Sequence, residues 1–349
     1  MSINSSSIRS ICLLRLSAIG DVTHVLPVIK TLQANLVDVK ITWVIGTLEY
    51  KLLKDLEGIE FVLFDKKQGI SAYTKLRRDL SSTHFDVLMH MQYSFRSNLA
   101  AQMIKAKYRI GFDKKRSKEF HGFRLTHRIS EVHQQHVLDS FMEFVKVLGI
   151  TNFIYNWDIP TSANDEDFAA KNIKSGVINV IISPCSSNKY RNWSHQRYAI
   201  ICDYLIEKYQ ANVLLCGGRS DFEQQTSAEI EGLCHYKINN ITGKDTLKQL
   251  YAMMKRVDLV ISPDSGPAHI ANAANTPVIV LHAATTHKRS GAYRFPELAV
   301  DYFQQAADQI AKKPVDSIRW GSQITLPGVM DLIPVDDVKQ KIDRVLSCK

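Results

Sequence analysis

Short apolar runs rich in Val and Ile alternate along the chain with amphipathic stretches, the pattern of parallel strands covered by helices on both faces. In the first half this predicts strands at "SICLLRL", "VKITWVI", "IEFVLF", "FDVLMHM" and "KYRIGF", with helices between them and a closing helix from about Gln134 to Leu148. Polar "TSANDEDFAA" reads as a linker running into a helix. A second series then comes at "VINVIISP", "ANVLLCGG", "VDLVISP" and "TPVIVLHAA". The fold class is therefore α/β, in two units spanning 1–160 and 161–334, since 349 residues exceed what one core usually serves. Two such units in tandem predict a cleft between them, with ligand loops at the carboxyl ends of the strands.

One apolar run breaks in an unusual way. In "LRLSAIGDVTHVLPVI", Leu14 to Ile29, a Ser, a Gly and an Asp interrupt, and a His and a Pro come next inside a segment of helical periodicity. The plain reading is a strand-to-helix turn, with Gly20 supplying backbone freedom and Asp21 the N-cap. Whether Asp21 does more depends on the rest of the chain.

Charge narrows the partners. Lys and Arg number 44 against 35 acidic residues, a formal net charge of +9, which favours nucleic acid, acidic lipid headgroups or phosphorylated small molecules. The cations concentrate at Lys105, Lys107, Arg109, Lys114, Lys115, Arg116, Lys118, Arg124 and Arg128, relieved only by Asp113 and Glu119. Such a run is either a solvated face or an anion-binding one. With no basic strand interleaved with aromatics and no nucleic-acid motif, nucleic acid is not an expected partner.

The six cysteines, Cys12, Cys185, Cys202, Cys216, Cys234 and Cys348, form no C-x-x-C pair, and four lie in apolar segments, which points to a reducing compartment. Arg15 interrupts "ICLLRLSAIG", and no apolar run approaches the ~20 residues of a membrane span. The expectation is a cytoplasmic protein without a transmembrane segment. "LLCGGRSDFE" lacks G-x-G-x-x-G, and neither a P-loop nor H-E-x-x-H or a Cys/His cluster occurs, so no cofactor and no metal is expected.

The densest chemistry lies in "VDLVISPDSGPAHIANAANTPVIVLHAATTHKRSGAY", Val257 to Tyr293. A strand ends at Pro263, Asp264 and Ser265 are caps for the next segment, Gly266 and Pro267 start a helix there, and His269 falls in its first turn. Free backbone N–H groups and a positive helix end suit a phosphate. The next strand ends in "HAATTHKR", where Thr285 and Thr286 offer hydroxyls and Lys288 and Arg289 offer charge. In "SPCSSNKYRNWSHQRY", Lys189 and Arg191 flank a strand end and suit a pyrophosphate leaving group, while Trp193 packs on the helix starting near Ser194. Glu223 sits where a carboxylate accepts from ribose hydroxyls, or where a first-turn Glu simply favours the helix dipole.

"LRLSAIGDVTHVLP" and "SPDSGPAHIANAANTPVIVLHAATTH" together resemble the lipopolysaccharide heptosyltransferases of glycosyltransferase family nine, over essentially the whole chain. The resemblance implies a GT-B fold: two Rossmann-like domains, acceptor on the first, ADP-heptose on the second, and a last helix, about 335–349, packed back on the first. It also implies inversion without a covalent intermediate. By matching of motifs, the Asp of the S-x-x-G-D loop is the candidate general base and falls on Asp21; an alcohol attacking an anomeric carbon loses its proton as the bond forms, and a carboxylate takes it.

The donor site implied comprises Lys189, Arg191, Glu223, Asp264, Ser265, Gly266, His269, Thr285 and Thr286. Relatives often have Lys where this chain has Arg191, so the pyrophosphate ligand is Arg191 or Lys189. A Kdo and lipid A acceptor carries carboxylates and phosphates, for which Ser17, His24, Arg96, Lys115, Arg116 and Lys118 are the expected contacts. The reading is an enzyme of heptosyltransferase I type, cytoplasmic or peripheral at the inner face of the inner membrane. The alternatives are a second heptose transfer, another nucleotide sugar, or a non-catalytic binder of sugar nucleotide or lipopolysaccharide.

Overall fold

The computed structural model describes residue 3 and residues 5–347. Two compact units divide the chain, Met1–Pro160 and Thr161–Lys349, and each carries one six-stranded sheet that is parallel throughout.

In the first unit the strands are β1 (Ser10–Leu14), β2 (Lys40–Gly46), β3 (Ile59–Phe64), β4 (Phe85–His90), β5 (Ala106–Gly111) and β6 (His127–Arg128), in the order β3-β2-β1-β4-β5-β6. Helices α1 (Ile19–Asn35), α2 (Thr47–Leu53), α3 (Ile70–Asp79), α4 (Phe95–Gln102) and α5 (Val137–Lys146) connect and cover them. Winding reverses at β1, whose Leu14 lies opposite Val44 of β2 on one side and His90 of β4 on the other. At such a switch point the loops leaving the strands diverge and leave room for a ligand. The loop from β1 to α1 is the interrupted apolar run.

The second unit repeats this winding with β7 (Asn179–Ile182), β8 (Asn212–Leu215), β9 (Asn239–Asn240), β10 (Leu259–Pro263), β11 (Val278–His282) and β12 (Val300–Asp301), in the order β12-β11-β10-β7-β8-β9. Its helices are α6 (Ala163–Asn172), α7 (His195–Tyr209), α8 (Asp221–Leu233), α9 (Leu247–Met254), α10 (Gly266–Ala273), α11 (His287–Ser290), α12 (Phe303–Gln305) and α13 (Val335–Leu346). Here the switch point lies between β7 and β10, so the segments after these strands, with Arg191 and Asp264, converge.

Every strand predicted from the apolar runs is present; β1, β2, β4, β7, β8, β10 and β11 are buried nearly throughout, as strands covered on both faces must be, while β3 and the first half of β5 are partly exposed. The edge strands β6, β9 and β12 escape prediction because two residues carry no periodicity. The family resemblance puts helix α13 on the first domain; its stripe Val338, Ile342 and Leu346 is buried in the core of the second unit. Asp343 anchors it there by accepting from Tyr204 and Tyr209 hydroxyls at 2.6 Å each. The five described cysteines are free and Cys12, Cys202 and Cys216 fully buried, while Cys348 lies outside the described residues.

Candidate functional site

In the first unit the interruption of the apolar run is the start of α1. The N-cap is Ala18, not Asp21: Gly20 and Asp21 already lie inside the first turn, and the Ala18 side chain cannot cap. Asp21 occupies the third helical position and reaches back, Oδ2 accepting from the Ala18 N–H at 3.4 Å. The same oxygen is ion-paired with Nη2 of Arg15. Arg15 is buried, donates from Nη1 to the Met91 carbonyl at 2.6 Å, and has its guanidinium carbon 5.3 Å from the centre of the Phe141 ring. Both contacts of the Asp21 carboxylate thus fall on Oδ2, on a side chain that is 32% exposed. Pro27 lies inside α1 without ending it.

Of the expected acceptor contacts, Ser17 is half-buried in the same loop, whereas His24 is buried in α1, edge-on to His136 at 5.4 Å. Arg96 is exposed in the first turn of α4. The three cations after β5 separate. Arg116 is tied into the fold, with Nε on Asp113, Nη1 donating to Gln135 Oε1 at 3.0 Å and Nη2 to the Ser130 carbonyl at 2.6 Å. Lys115 is exposed and paired with Glu131 at 2.5 Å; Lys118 is exposed. Arg116 therefore builds the loop that Lys115 and Lys118 decorate.

The second unit gathers its predicted residues more tightly. Asp264 is buried at the end of β10, and its Oδ2 accepts from the Thr285 hydroxyl at 2.7 Å and the Ser290 hydroxyl at 3.0 Å. Arg191 Nη1 lies 3.5 Å from the same oxygen and donates to the Asp264 carbonyl at 2.9 Å; His269 Nε2 lies 3.7 Å from Oδ1. Burial alone would push the Asp264 carboxyl up, but the His269 contact and the charges of His282, Arg191 and His269 outweigh it and hold the group well below the usual carboxylate range. His282, at the end of β11, is pushed down by its own burial and shares the Thr285 hydroxyl at 3.1 Å.

Asp264 does not cap α10. Ser265 is the N-cap residue, and its hydroxyl meets Ser262 Oγ at 2.9 Å instead of a backbone N–H, so no side chain caps the first turn of Gly266, Pro267 and Ala268. An uncapped helix start keeps its donors and its partial positive charge for an anion. Thr286 caps α11 and donates to Asp301 Oδ2 at 3.0 Å, while that oxygen also takes the His287 N–H at 2.7 Å. Glu223 folds its own loop, Oε1 accepting from the Gly218 N–H at 2.9 Å and Oε2 from the Ser220 hydroxyl at 2.7 Å. Lys189 is exposed beside Tyr190, its Nζ 5.3 Å from the ring centre, whereas Arg191 turns inward. Trp193 packs at 5.3 Å on Tyr198 of α7 and donates to the Ile333 carbonyl at 3.2 Å.

Sequence reasoning missed Arg15, His282, Ser290 and Asp301. Arg15 alone carried a signal: an Arg inside a buried strand end requires a partner. Among the described residues no group of three or more His, Cys, Asp or Glu converges as a metal cage, and no helix is long and apolar enough to cross a membrane.

Residues 73–313 match the family model described as glycosyltransferase family 9 (heptosyltransferase). The lipopolysaccharide core heptosyltransferase OpsX of Haemophilus influenzae is 36% identical over 330 residues, covering 95% of each chain. Lipopolysaccharide heptosyltransferase 1 of Campylobacter coli is 25% identical, covering 80% of this chain and 85% of the other. Among solved structures, the family 9 glycosyl transferase of Veillonella parvula superposes with a TM-score of 0.80 at 19% identity, covering 100% of this chain and 99% of that one. The E. coli heptosyltransferase WaaC with ADP gives 0.73 at 15%, covering 96% and 99%.

Proposed function

We propose, for a chain that belongs to glycosyltransferase family 9 and has its GT-B fold, that the sugar moved is a heptose from ADP-heptose and that the acceptor is the Kdo-bearing inner core of lipopolysaccharide, as in a heptosyltransferase I. The observation that carries the donor half is the buried Asp264, with Arg191, His269 and Thr285 on it and an uncapped helix start beside it. ADP carries two phosphates, and the E. coli relative is one with ADP. Arg191 and the N–H groups at the start of α10 take the pyrophosphate, and Glu223 takes the ribose hydroxyls.

The reaction then runs as a single displacement. An acceptor hydroxyl forms its bond to the anomeric carbon, the bond from that carbon to the pyrophosphate oxygen breaks, and ADP leaves with the electron pair. The proton of the hydroxyl goes to Asp21, whose Oδ2 is held by Arg15. Negative charge growing on the leaving ADP is stabilised by Arg191 and the helix start, groups already oriented before reaction. Lys115 and Lys118 take the anionic groups of the acceptor, with Ser17 and Arg96.

Incubation of the protein with ADP-heptose and a panel of purified core acceptors, read by mass spectrometry, tests this. The expected product is one heptose on the Kdo acceptor that has none. Transfer only to a core already bearing heptose would make it a second-heptose enzyme, and transfer from another nucleotide sugar alone would overturn the donor.

A further inference from the structure

The segment after β5 exposes aromatic side chains that the sugar transfer does not use. Phe120 is 84% exposed, Phe123 62% and Phe95 61%, and Leu99 lies one turn after Phe95 on α4. This exposure is built. The Glu119 carboxylate accepts the Phe95 N–H at the start of α4, and Asn98 donates to the Lys118 and Glu119 carbonyls at 3.2 and 2.6 Å. Asn98 Oδ1 meets His121 Nδ1 at 3.1 Å, while His121 Nε2 accepts the Phe112 N–H at 2.9 Å, so the ring is a neutral tautomer locked between two elements. A turn puts the Phe123 N–H on the Phe120 carbonyl at 3.0 Å, and Phe120 holds a φ of 66°, which a bulky side chain rarely adopts.

Charge around these rings has one sign. Among the described residues, Arg96, Lys114, Lys118 and Arg124 are exposed with no acidic partner, and Arg124 lies 5.6 Å from the Phe123 ring centre. The nearby acids each have a partner: the buried Asp113 meets Arg116, Glu119 accepts at the start of α4, and Glu131 pairs at the surface with Lys115. Aromatic side chains ringed by such cations match a surface that is apolar within and anionic at its face. A protein partner would need carboxylates placed against four separate cations, whereas a bilayer supplies mobile anionic headgroups at any position.

We propose that Phe95, Leu99, Phe120 and Phe123, with Arg96, Lys114, Lys118 and Arg124, form a docking surface for an anionic lipid bilayer. The rings enter the headgroup boundary and the cations meet the headgroup phosphates, Arg96 and Lys118 doing so while no acceptor occupies them, which holds the first unit at the membrane face.

Co-sedimentation of the full chain with vesicles of phosphatidylglycerol and phosphatidylethanolamine, against phosphatidylcholine alone, tests this without any acceptor present, so the result stands whatever sugar is transferred. Binding to the anionic vesicles that weakens with salt is expected. Phe120→Ser with Phe123→Ser should lower partitioning by more than about tenfold, and Lys114→Glu or Arg124→Glu by roughly fivefold or more each, all with the thermal transition of the parent. Equal binding to both vesicle types, no binding at low salt, or unchanged partitioning of the folded double variant would overturn it. So would a dimer of the parent that the double variant dissolves, since the surface would then belong to a second copy.

Discussion

Arg15 and Asp21 form an ion pair between a buried guanidinium and a carboxylate in the first turn of α1, across the loop that interrupts the first apolar run. The pair orients one carboxylate oxygen and gives a charge at the end of β1 its counter-charge. Removing one partner of such a pair leaves the other uncompensated, which costs far more than replacing both.

The Asp21→Asn variant is therefore expected to lose both turnover and stability. Asn still accepts the Ala18 N–H, but it takes no proton, so kcat should fall by roughly 10²–10⁴-fold, with ADP affinity unchanged. Arg15→Met combined with Asp21→Asn should recover part of the lost thermal stability and none of the turnover. A folded, acceptor-saturated Asp21→Asn enzyme within a few-fold of the parent would remove Asp21 from the chemistry.

Arg191 and Lys189 are expected to separate in calorimetry with ADP. Arg191 faces Asp264 and the start of α10, so Arg191→Met should weaken ADP by at least about tenfold, as for a hydrogen bond to a charged group. Lys189 is exposed, so Lys189→Met should change affinity only a few-fold, and less as salt rises. The opposite order would make Lys189 the pyrophosphate ligand.

Arg116 and Lys118 are expected to separate by what they disturb. Arg116→Ala removes bonds to Asp113, Gln135 and the Ser130 carbonyl, and should lower the thermal midpoint. Lys118→Ala should leave the midpoint unchanged and raise acceptor KM, by a factor that shrinks with salt. A raised KM for Arg116→Ala at unchanged stability would contradict this division.

Asp245 lies just after β9 in the second unit, and burial, with the nearby Glu223 adding to it, pushes its carboxyl up to about 7 from an ordinary 3.8, against smaller opposing effects of its own backbone and Arg219. The folded chain thus keeps a proton that the unfolded chain releases between these values. The contribution is full below 3.8 and is lost as pH rises through 7. Asp245→Asn should match the parent in acid and exceed it in stability above pH 7, measured by denaturant titration across the range. A gap that is constant with pH would show that the carboxyl does not titrate there.

Periodicity determined much of this protein from sequence alone. Val- and Ile-rich runs such as "VINVIISP" and "VDLVISP" mark the strands that bear a ligand loop at their ends, because burial on both faces imposes an apolar run that is local and legible. The D-S-G-P-A-H segment likewise announces a helix start after a strand. What Asp21 and Asp264 face was decided only in three dimensions. Both stand where local sequence suggests a cap, yet Asp21 meets a buried Arg six residues earlier, and Asp264 meets Arg191, Thr285 and Ser290 from separate segments of its unit. Lys189 and Arg191 stand two residues apart and Arg116 and Lys118 likewise, and nothing in their spacing says which turns inward. Capping depends on neighbours along the chain, whereas the partner of a buried charge is set by which strand ends the sheet order brings together.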